Sequence, residues 1–344
     1  MAKRKKRVIR PAARNTNSIP MTTHPQSHSF LPPDVISFVR SAFSRANERV
    51  TRQLSQIPFT TEPALDQMLI SALGEFSAPV RLPTFGWTVH IDTHFLGGRW
   101  LYGRWEVADI GVLVIFRDRT KIVRSKVALL QSKRLYPVNQ NAADSLDPEN
   151  RVGFGRLYAS DEQYAEFAKD RVFEFNEACR YREIEKLDGE GKQWETIRKY
   201  QQERGIPVYY LLYNPSVLPW RVSVPLAAPL GESWNRSVGA RIVSYDNVVT
   251  ACDKLSAGGN PTFSMLRSAL GSDLMAPGCS LEDFITDRLL GCFEGYIAQP
   301  KNDPGLYEVF FNRSGPIAAA IAITIDAPSG IDFGVRQLPE GPQR

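Results

Sequence analysis

The sequence has no apolar run of the roughly 18–20 residues that a bilayer-spanning helix needs. Its most apolar stretch, Pro316 to Ile325, is far shorter and is predicted to be a buried strand. The basic N-terminus is followed by polar residues and not by the apolar segment of a signal peptide. We therefore expect an intracellular, cytoplasmic protein without membrane association.

Cysteine is scarce and has no motif spacing. The four cysteines (Cys179, Cys252, Cys279 and Cys292) form neither a CxxC pair nor a zinc-ribbon pattern. This argues against a disulfide-stapled secreted domain and a structural zinc module, and favours free thiols. No internal repeat is visible, which argues against a solenoid.

The net charge of +5 comes from the N-terminal tail. Residues 1–14 contain seven basic residues, including Lys3, Arg4, Lys5, Lys6 and Arg7, and no acid. Removing these seven charges from +5 leaves the rest of the chain at −2. Such a tail can bind phosphate backbones without sequence preference. It can equally be a disordered solubilising arm.

Composition and periodicity divide the chain into four parts. Residues 1–32 are predicted to be a disordered basic arm and residues 33–54 a helix. Residues 55–215 are predicted to be an α/β core. Residues 216–344 are predicted to be a C-terminal α+β extension of unknown fold, serving specificity or partner binding.

The sequence pattern of residues 55–215 predicts the order helix, three strands, helix, strand. The three strands are joined by short connections, which favours an antiparallel meander. The predicted elements of the core are a helix from Thr60, strands at Trp87–Phe95, Val107–Phe116 and Lys126–Lys133, helices at Asp161–Glu185 and Trp194–Glu203, and a strand at Pro207–Tyr213. In the extension, the predicted elements are a helix at Leu281–Leu290 and strands at Tyr307–Phe311 and Ala318–Ile325.

Polar residues interrupt two of the buried strands. Asp109 lies inside VADIGVLVIF, where an ionised carboxylate is costly unless it is paired or binds a metal. Gln131 and Lys133 are two residues apart in the next strand and therefore share a face. Gly111, which has no side chain, is expected to leave room beside Asp109. The alternative without a catalytic role is a structural ion pair between Asp109 and Lys133.

An acid, an amide oxygen and an ammonium at the ends of adjacent strands suit phosphodiester cleavage. Hard cations such as Mg²⁺ need oxygen ligands, which a carboxylate and a carbonyl can supply. A bound cation can activate a water molecule and stabilise the leaving oxygen. A nearby lysine can orient that water or balance charge in the transition state.

The segments ADIGVLV and LLQSKR, followed by a helix and an apolar strand, resemble the PD-(D/E)XK (restriction-endonuclease-like) nuclease superfamily. The resemblance covers roughly residues 60–215. It implies that Asp109 is the motif aspartate, that Lys133 is the motif lysine and that Gln131 occupies the second acidic position. The Ser132 backbone carbonyl is then a further ligand for Mg²⁺ or Mn²⁺.

The resemblance also implies an acid from the preceding helix. Glu62 and Glu75 are both candidates, and we prefer Glu62, although a carboxylate in the first turn is independently favoured by the helix dipole. Glu106 flanks the site on the opposite strand face. Gln163 and Phe167 weakly resemble a Q-xxx-Y element that some members carry.

Three functions are therefore considered. The first is a metal-dependent endonuclease or exonuclease that acts on nucleic acid, and the resemblance to the superfamily implies DNA. Such an enzyme would serve in restriction, repair or phage defence, as a homodimer or with an activating subunit. The second is a catalytically inactive nuclease fold that binds nucleic acid. The third is a metallohydrolase, because His90, Asp92 and His94 project from one strand face and suit a transition metal.

Overall fold

The computed structural model describes residues 31–84, 86–95, 107–119, 121–138, 172–182, 184, 193–223, 236–253, 260–270, 276–299, 303–311 and 315–328. The helices are α1 (Pro33–Gln56), α2 (Glu62–Gly74), α3 (Gln193–Arg204), α4 (Tyr245–Asp253), α5 (Phe263–Ala269), α6 (Leu281–Asp283), which continues as a π-helix over Phe284–Leu290, and α7 (Pro304–Phe310). Among these residues, no helix combines the length and the apolar composition needed to cross a membrane.

The strands are β1 (Val80–Arg81), β2 (Thr88–Phe95), β3 (Ala108–Asp118), β4 (Lys121–Tyr136), β5 (Val172–Phe175), β6 (Arg180–Tyr181), β7 (Val208–Tyr213), β8 (Trp220–Ser223), β9 (Arg241–Ser244), β10 (Cys279–Ser280), β11 (Tyr296–Ala298) and β12 (Ile317–Ala327). Ten of these described strands form one mixed sheet in the order β1-β2-β12-β3-β4-β7-β9-β10, with β6 and β11 also paired to β4. The other two, β5 and β8, pair with each other.

Elements of the predicted types follow one another along the chain as α2, β2, β3, β4, α3 and β7, but the short strands β1, β5 and β6 come between them. The predicted meander is wrong in one respect, because β2 and β3 are not neighbours. Strand β12 lies between them, antiparallel to β2 and parallel to β3. Strands β3 and β4 do form the expected antiparallel pair, and β7 runs parallel to β4. The short connections predicted the relative directions of β2, β3 and β4, but they contained no information about the insertion of β12 between β2 and β3.

Two further predictions need correction. The predicted helix at Asp161–Glu185 is wrong where the structure describes it, because Val172–Phe175 and Arg180–Tyr181 are strands. The VFEF segment alternates in burial, as expected of period-two packing. The predicted strand at Tyr307–Phe311 is instead the end of α7, because Asp303 caps that helix by accepting from the Leu306 N–H at 3.0 Å.

The two faces of the sheet are covered by different parts of the chain. Helices α1 and α2 pack on the face that contains Ser132, and the buried side chains of α1 and α2 belong to the same core as the sheet. Phe310 of α7 lies against Gly111 on the opposite face. Strands β9 to β12, from the predicted extension, are part of the same sheet as the predicted core. The four cysteines are free thiols, as predicted.

Candidate functional site

Asp109, Gln131 and Lys133 lie together at one end of the sheet. The antiparallel register pairs Gly111 with Leu129, so that continuing it places Asp109 beside Gln131 on the same face. The Gln131 amide nitrogen donates to Asp109 Oδ2, and the Ser132 backbone N–H donates to the same oxygen at 2.7 Å. The grouping expected from the strand pattern is therefore present.

Strand β4 continues past the start of β3, and the first turn of α2 contacts this overhang. Glu62 Oε2 lies 3.9 Å from Lys133 Nζ, and the other carboxylate oxygen accepts from the Arg134 backbone N–H at 2.9 Å. The Lys133 side chain is only 2% exposed and that of Glu62 is 20% exposed. Glu75 lies outside this group, because it forms an exposed ion pair with Arg49 at 2.7 Å. The preference for Glu62 agrees with this geometry.

A second acid of α2, Asp66, belongs to the same network. It lies one helical turn after Glu62 and is buried. Asp66 Oδ1 accepts from the Ser132 hydroxyl at 2.5 Å and from the Tyr213 hydroxyl at 2.7 Å. Sequence analysis missed this residue. The available signal was an acid four residues after Glu62, adjoining the apolar stripe of the helix.

The environment of Asp66 favours its neutral form. Burial raises the pKa of Asp66 well above its usual range, and the charges of Asp109 and Glu62 add to this shift. The hydrogen bonds from Ser132 and Tyr213 oppose it. Burial, followed by the adjacent Asp66, also raises the pKa of the Tyr213 hydroxyl. Both groups therefore remain protonated more readily than they would in water.

The oxygen atoms near Asp109 suit a hard cation. The Gln131 side-chain oxygen is buried and has no hydrogen-bond partner among the described residues. An unsatisfied buried oxygen is costly, and a cation would satisfy it. Asp109, Gln131, the Ser132 carbonyl and Glu62 are thus the groups that could hold Mg²⁺ or Mn²⁺. In the described part of the chain, no group of three or more His, Cys, Asp or Glu side chains is arranged to hold a metal ion.

The space expected beside Gly111 is filled. A Cβ atom at Gly111 would lie 2.7 Å from Ile317 Cδ1 and 3.0 Å from Phe310 Cε1. Gly111 is therefore needed for the close packing of α7 and the start of β12, and the expectation of room there is wrong.

The histidines of β2 are separated from Asp109 by a strand. His90, Asp92 and His94 pair with even-numbered residues of β12, which in turn lie beside odd-numbered residues of β3. The three side chains therefore share the face of Asp109. His90 Nε2 lies 3.3 Å from Asp92 Oδ2, and His90 Nδ1 is buried without a hydrogen-bond partner among the described residues.

Several predicted residues lie outside the described residues. They are Glu106, Gln163, Phe167 and the basic residues Lys3, Arg4, Lys5, Lys6 and Arg7. Comparisons of the chain with protein-family models, with curated proteins and with solved structures found no match.

Proposed function

We propose that this chain is a metal-dependent nuclease that hydrolyses phosphodiester bonds in DNA. The observation that carries the proposal is the convergence of Asp109, Gln131 and Lys133 at the ends of two hydrogen-bonded strands, with Glu62 within reach of Lys133. A half-buried carboxylate, an amide oxygen with no hydrogen-bond partner among the described residues and a buried ammonium are more than a structural ion pair needs.

Each group has a role that its surroundings support. Asp109 and Gln131 would hold a divalent cation, assisted by Glu62 and the Ser132 carbonyl. When bound, that cation would supply polarisation of the phosphoryl oxygen and activation of a water molecule. Lys133 would orient the attacking water and offset negative charge that develops on the phosphate. Its burial strengthens this interaction, because the local dielectric is low.

Asp66 is a positioning residue in this proposal. It holds the Ser132 hydroxyl, and the backbone N–H of Ser132 holds Asp109. A neutral Asp66 also avoids a third negative charge beside Asp109 and Glu62. The chain can therefore keep a carboxylate at Asp109 without the like-charge repulsion that an ionised Asp66 would add.

The test is cleavage of supercoiled plasmid and single-stranded DNA with Mg²⁺, Mn²⁺ or EDTA. We expect metal-dependent cutting by the wild type and a loss of at least about 100-fold in Asp109→Ala and Lys133→Ala. Lys133→Met, which keeps the length of the side chain, serves as a second variant should Lys133→Ala fail to fold. Lys121→Ala is the matched control, because Lys121 is exposed at the opposite end of the same strand. Circular dichroism melts establish that each variant is folded.

Normal cutting by a folded Lys133→Ala protein would disprove the assignment. A wild type that binds DNA but never cuts it would favour the inactive nuclease fold. Metal binding that is lost in His90→Ala and His94→Ala, and kept in Asp109→Ala, would move the site to β2.

A further inference from the structure

Two arginines stack on the ring of Tyr136 at the end of β4, and a third lies beside them in the strand register. The guanidinium carbon of Arg134 lies 4.0 Å from the ring centroid and that of Arg182 lies 4.1 Å from it. The register pairs Tyr136 with Arg180 of β6, so that Arg180 joins them. Arg180 and Arg182 are exposed, whereas Arg134 is buried. We call these four residues the arginine–tyrosine cluster.

Arg134 and Arg180 donate hydrogen bonds to uncharged carbonyl oxygens. An Arg134 guanidinium nitrogen donates to the Pro58 carbonyl at 2.5 Å, and one of Arg180 donates to the Asn260 carbonyl at 2.9 Å. The Arg134 Nε is buried without a hydrogen-bond partner among the described residues. The two guanidinium groups on the ring carry like charges, and both would attract an anion placed beside them.

The tyrosine ring makes the cluster a defined surface. Stacking on an aromatic face restricts the guanidinium plane, so that less side-chain entropy is lost when its N–H groups bind an anion. A planar guanidinium matches the geometry of phosphate oxygens and can bind them through two parallel hydrogen bonds.

The cluster lies near the candidate reaction centre. Arg134 and Tyr136 alternate with Lys133 along β4, so that their side chains start from the opposite face of the sheet, which is the face of Ser132. The two sites adjoin each other at the end of the strand, where β4 extends beyond β3. Glu62 joins the two sites, because it contacts both Lys133 and the Arg134 backbone.

We propose that the arginine–tyrosine cluster binds the phosphate backbone of the substrate strand where that strand passes the end of β4. The identification of the ligand as a polynucleotide strand rests on the proposed nuclease function. Phosphate contacts of this kind position the strand and carry no direct sequence information. The cluster would therefore set the register of the strand on the reaction centre.

The experiment measures binding of the full chain to fluorescent duplex DNA, single-stranded DNA and RNA in EDTA, over a range of salt concentrations. For Arg182→Ala and Arg180→Ala, we expect several-fold weaker duplex binding. The slope of log K against log salt should fall by about 0.9 for each arginine removed. Tyr136→Phe should keep wild-type binding, whereas Tyr136→Leu should weaken it. Lys121→Ala is the control for loss of one exposed charge.

An unchanged salt slope in Arg182→Ala and Arg180→Ala would overturn the proposal, as would an equal decrease in Lys121→Ala. Equal losses on DNA and RNA would support a contact to the shared phosphate backbone, and losses on RNA alone would contradict a DNA substrate. The two proposals fail separately. Cutting without a contribution from the cluster would remove this inference only, and binding through the cluster without cutting would remove the nuclease reaction only.

Discussion

Asp66 shows how one buried acid can be tolerated beside two others. Its hydrogen-bond partner Ser132 also donates to Asp109 through the backbone N–H, yet Asp66 lies on the opposite face of β4, under α2. Burial and the neighbouring charges raise its pKa, and the proton that it keeps removes a charge from the network. The pH dependence of stability should report this proton directly.

Asp66→Asn should change the pH dependence of stability. The native state holds the Asp66 proton more tightly than the unfolded chain, whose aspartates titrate near about 3.9. This contribution to stability is full below that pH and is lost as pH rises toward the raised native pKa. Relative to Asp66→Asn, the wild type should therefore lose up to about 1.4 kcal/mol per pH unit across that window. Urea unfolding from pH 4 to 7.5 measures the difference.

The control for this prediction is Glu75→Gln, which removes one negative charge from an exposed position at the end of the same helix. Parallel pH profiles for the wild type and Asp66→Asn would contradict a raised native pKa. A wild type that gained stability relative to Asp66→Asn as the pH rises would mean that Asp66 is ionised and stabilised in the folded chain.

Residues of the candidate site were predictable where they broke a strand pattern. Asp109, Gln131 and Lys133 interrupt apolar strands with period two, so both their face and their end of the sheet followed from spacing. Asp66 was not predictable in this way, because helical amphipathicity tolerates an acid at the margin of an apolar stripe. Its partner Tyr213 is the last residue of an apolar strand, where its hydroxyl gave no signal.

At the scale of elements, the buried amide of Asn47 joins α1 to the segment before β9. Asn47 Oδ1 accepts from the Ala240 N–H at 2.8 Å, and Asn47 Nδ2 donates to the Ala240 carbonyl at 3.2 Å. The same nitrogen donates to Glu282 at 2.7 Å. The first of the described helices is thus joined to two parts of the C-terminal half.

Asn47→Ala should lower the free energy of unfolding by about 2–4 kcal/mol, because it leaves buried backbone groups of Ala240 without partners. Chemical denaturation measures this value. Glu48→Ala is the control, since Glu48 pairs with Arg52 on the more exposed side of the helix and should cost about 0.5 kcal/mol or less. Equal effects of the two variants would show that the amide contributes nothing beyond helix propensity.

Helices and strands whose apolar residues follow one clear period were predicted correctly. Segments whose residues fit both a helix and a strand were not. Helices α1 and α2 and strands β3, β4 and β7 have long, uninterrupted patterns that tertiary contacts did not override. The VFEF strand was hidden in a charged stretch that also fits a helix. Tyr307, Val309 and Phe310 have high β propensity, which is a weak guide to structure, and they lie in helix α7, which Asp303 caps.

At the scale of the whole molecule, β12, the last of the described strands, lies inside the sheet between β2 and β3. Ile321 and Ile323 of β12 pair with Thr93 and Ile91 of β2, and on the other side with Val112 and Val114 of β3. The alternation of Ile317–Ala327 predicts a strand but contains nothing about its neighbours. Which strands become adjacent depends on packing between segments some two hundred residues apart, and local periodicity does not encode it.

This topology predicts that the described sheet unfolds as one unit. Ile323 is fully buried between β2 and β3, and Ile323→Ala should cost about 2–5 kcal/mol by leaving a cavity in the shared core. Ile297→Ala makes the same change on strand β11, where Ile297 is 41% exposed, and should cost much less. The measurements are thermal melts followed by far-UV circular dichroism and by tryptophan fluorescence.

The two probes should coincide in a single transition that Ile323→Ala moves to lower temperature without splitting it. Two separate transitions would mean that the residues before and after 215 fold independently. A variant that loses only part of its far-UV signal at the lower temperature would mean the same. Because β12 lies directly beside the strand that carries Asp109, the single transition should also remove DNA cleavage at the same temperature. Cleavage that survives the melting of β12 would separate the candidate site from the sheet that contains it.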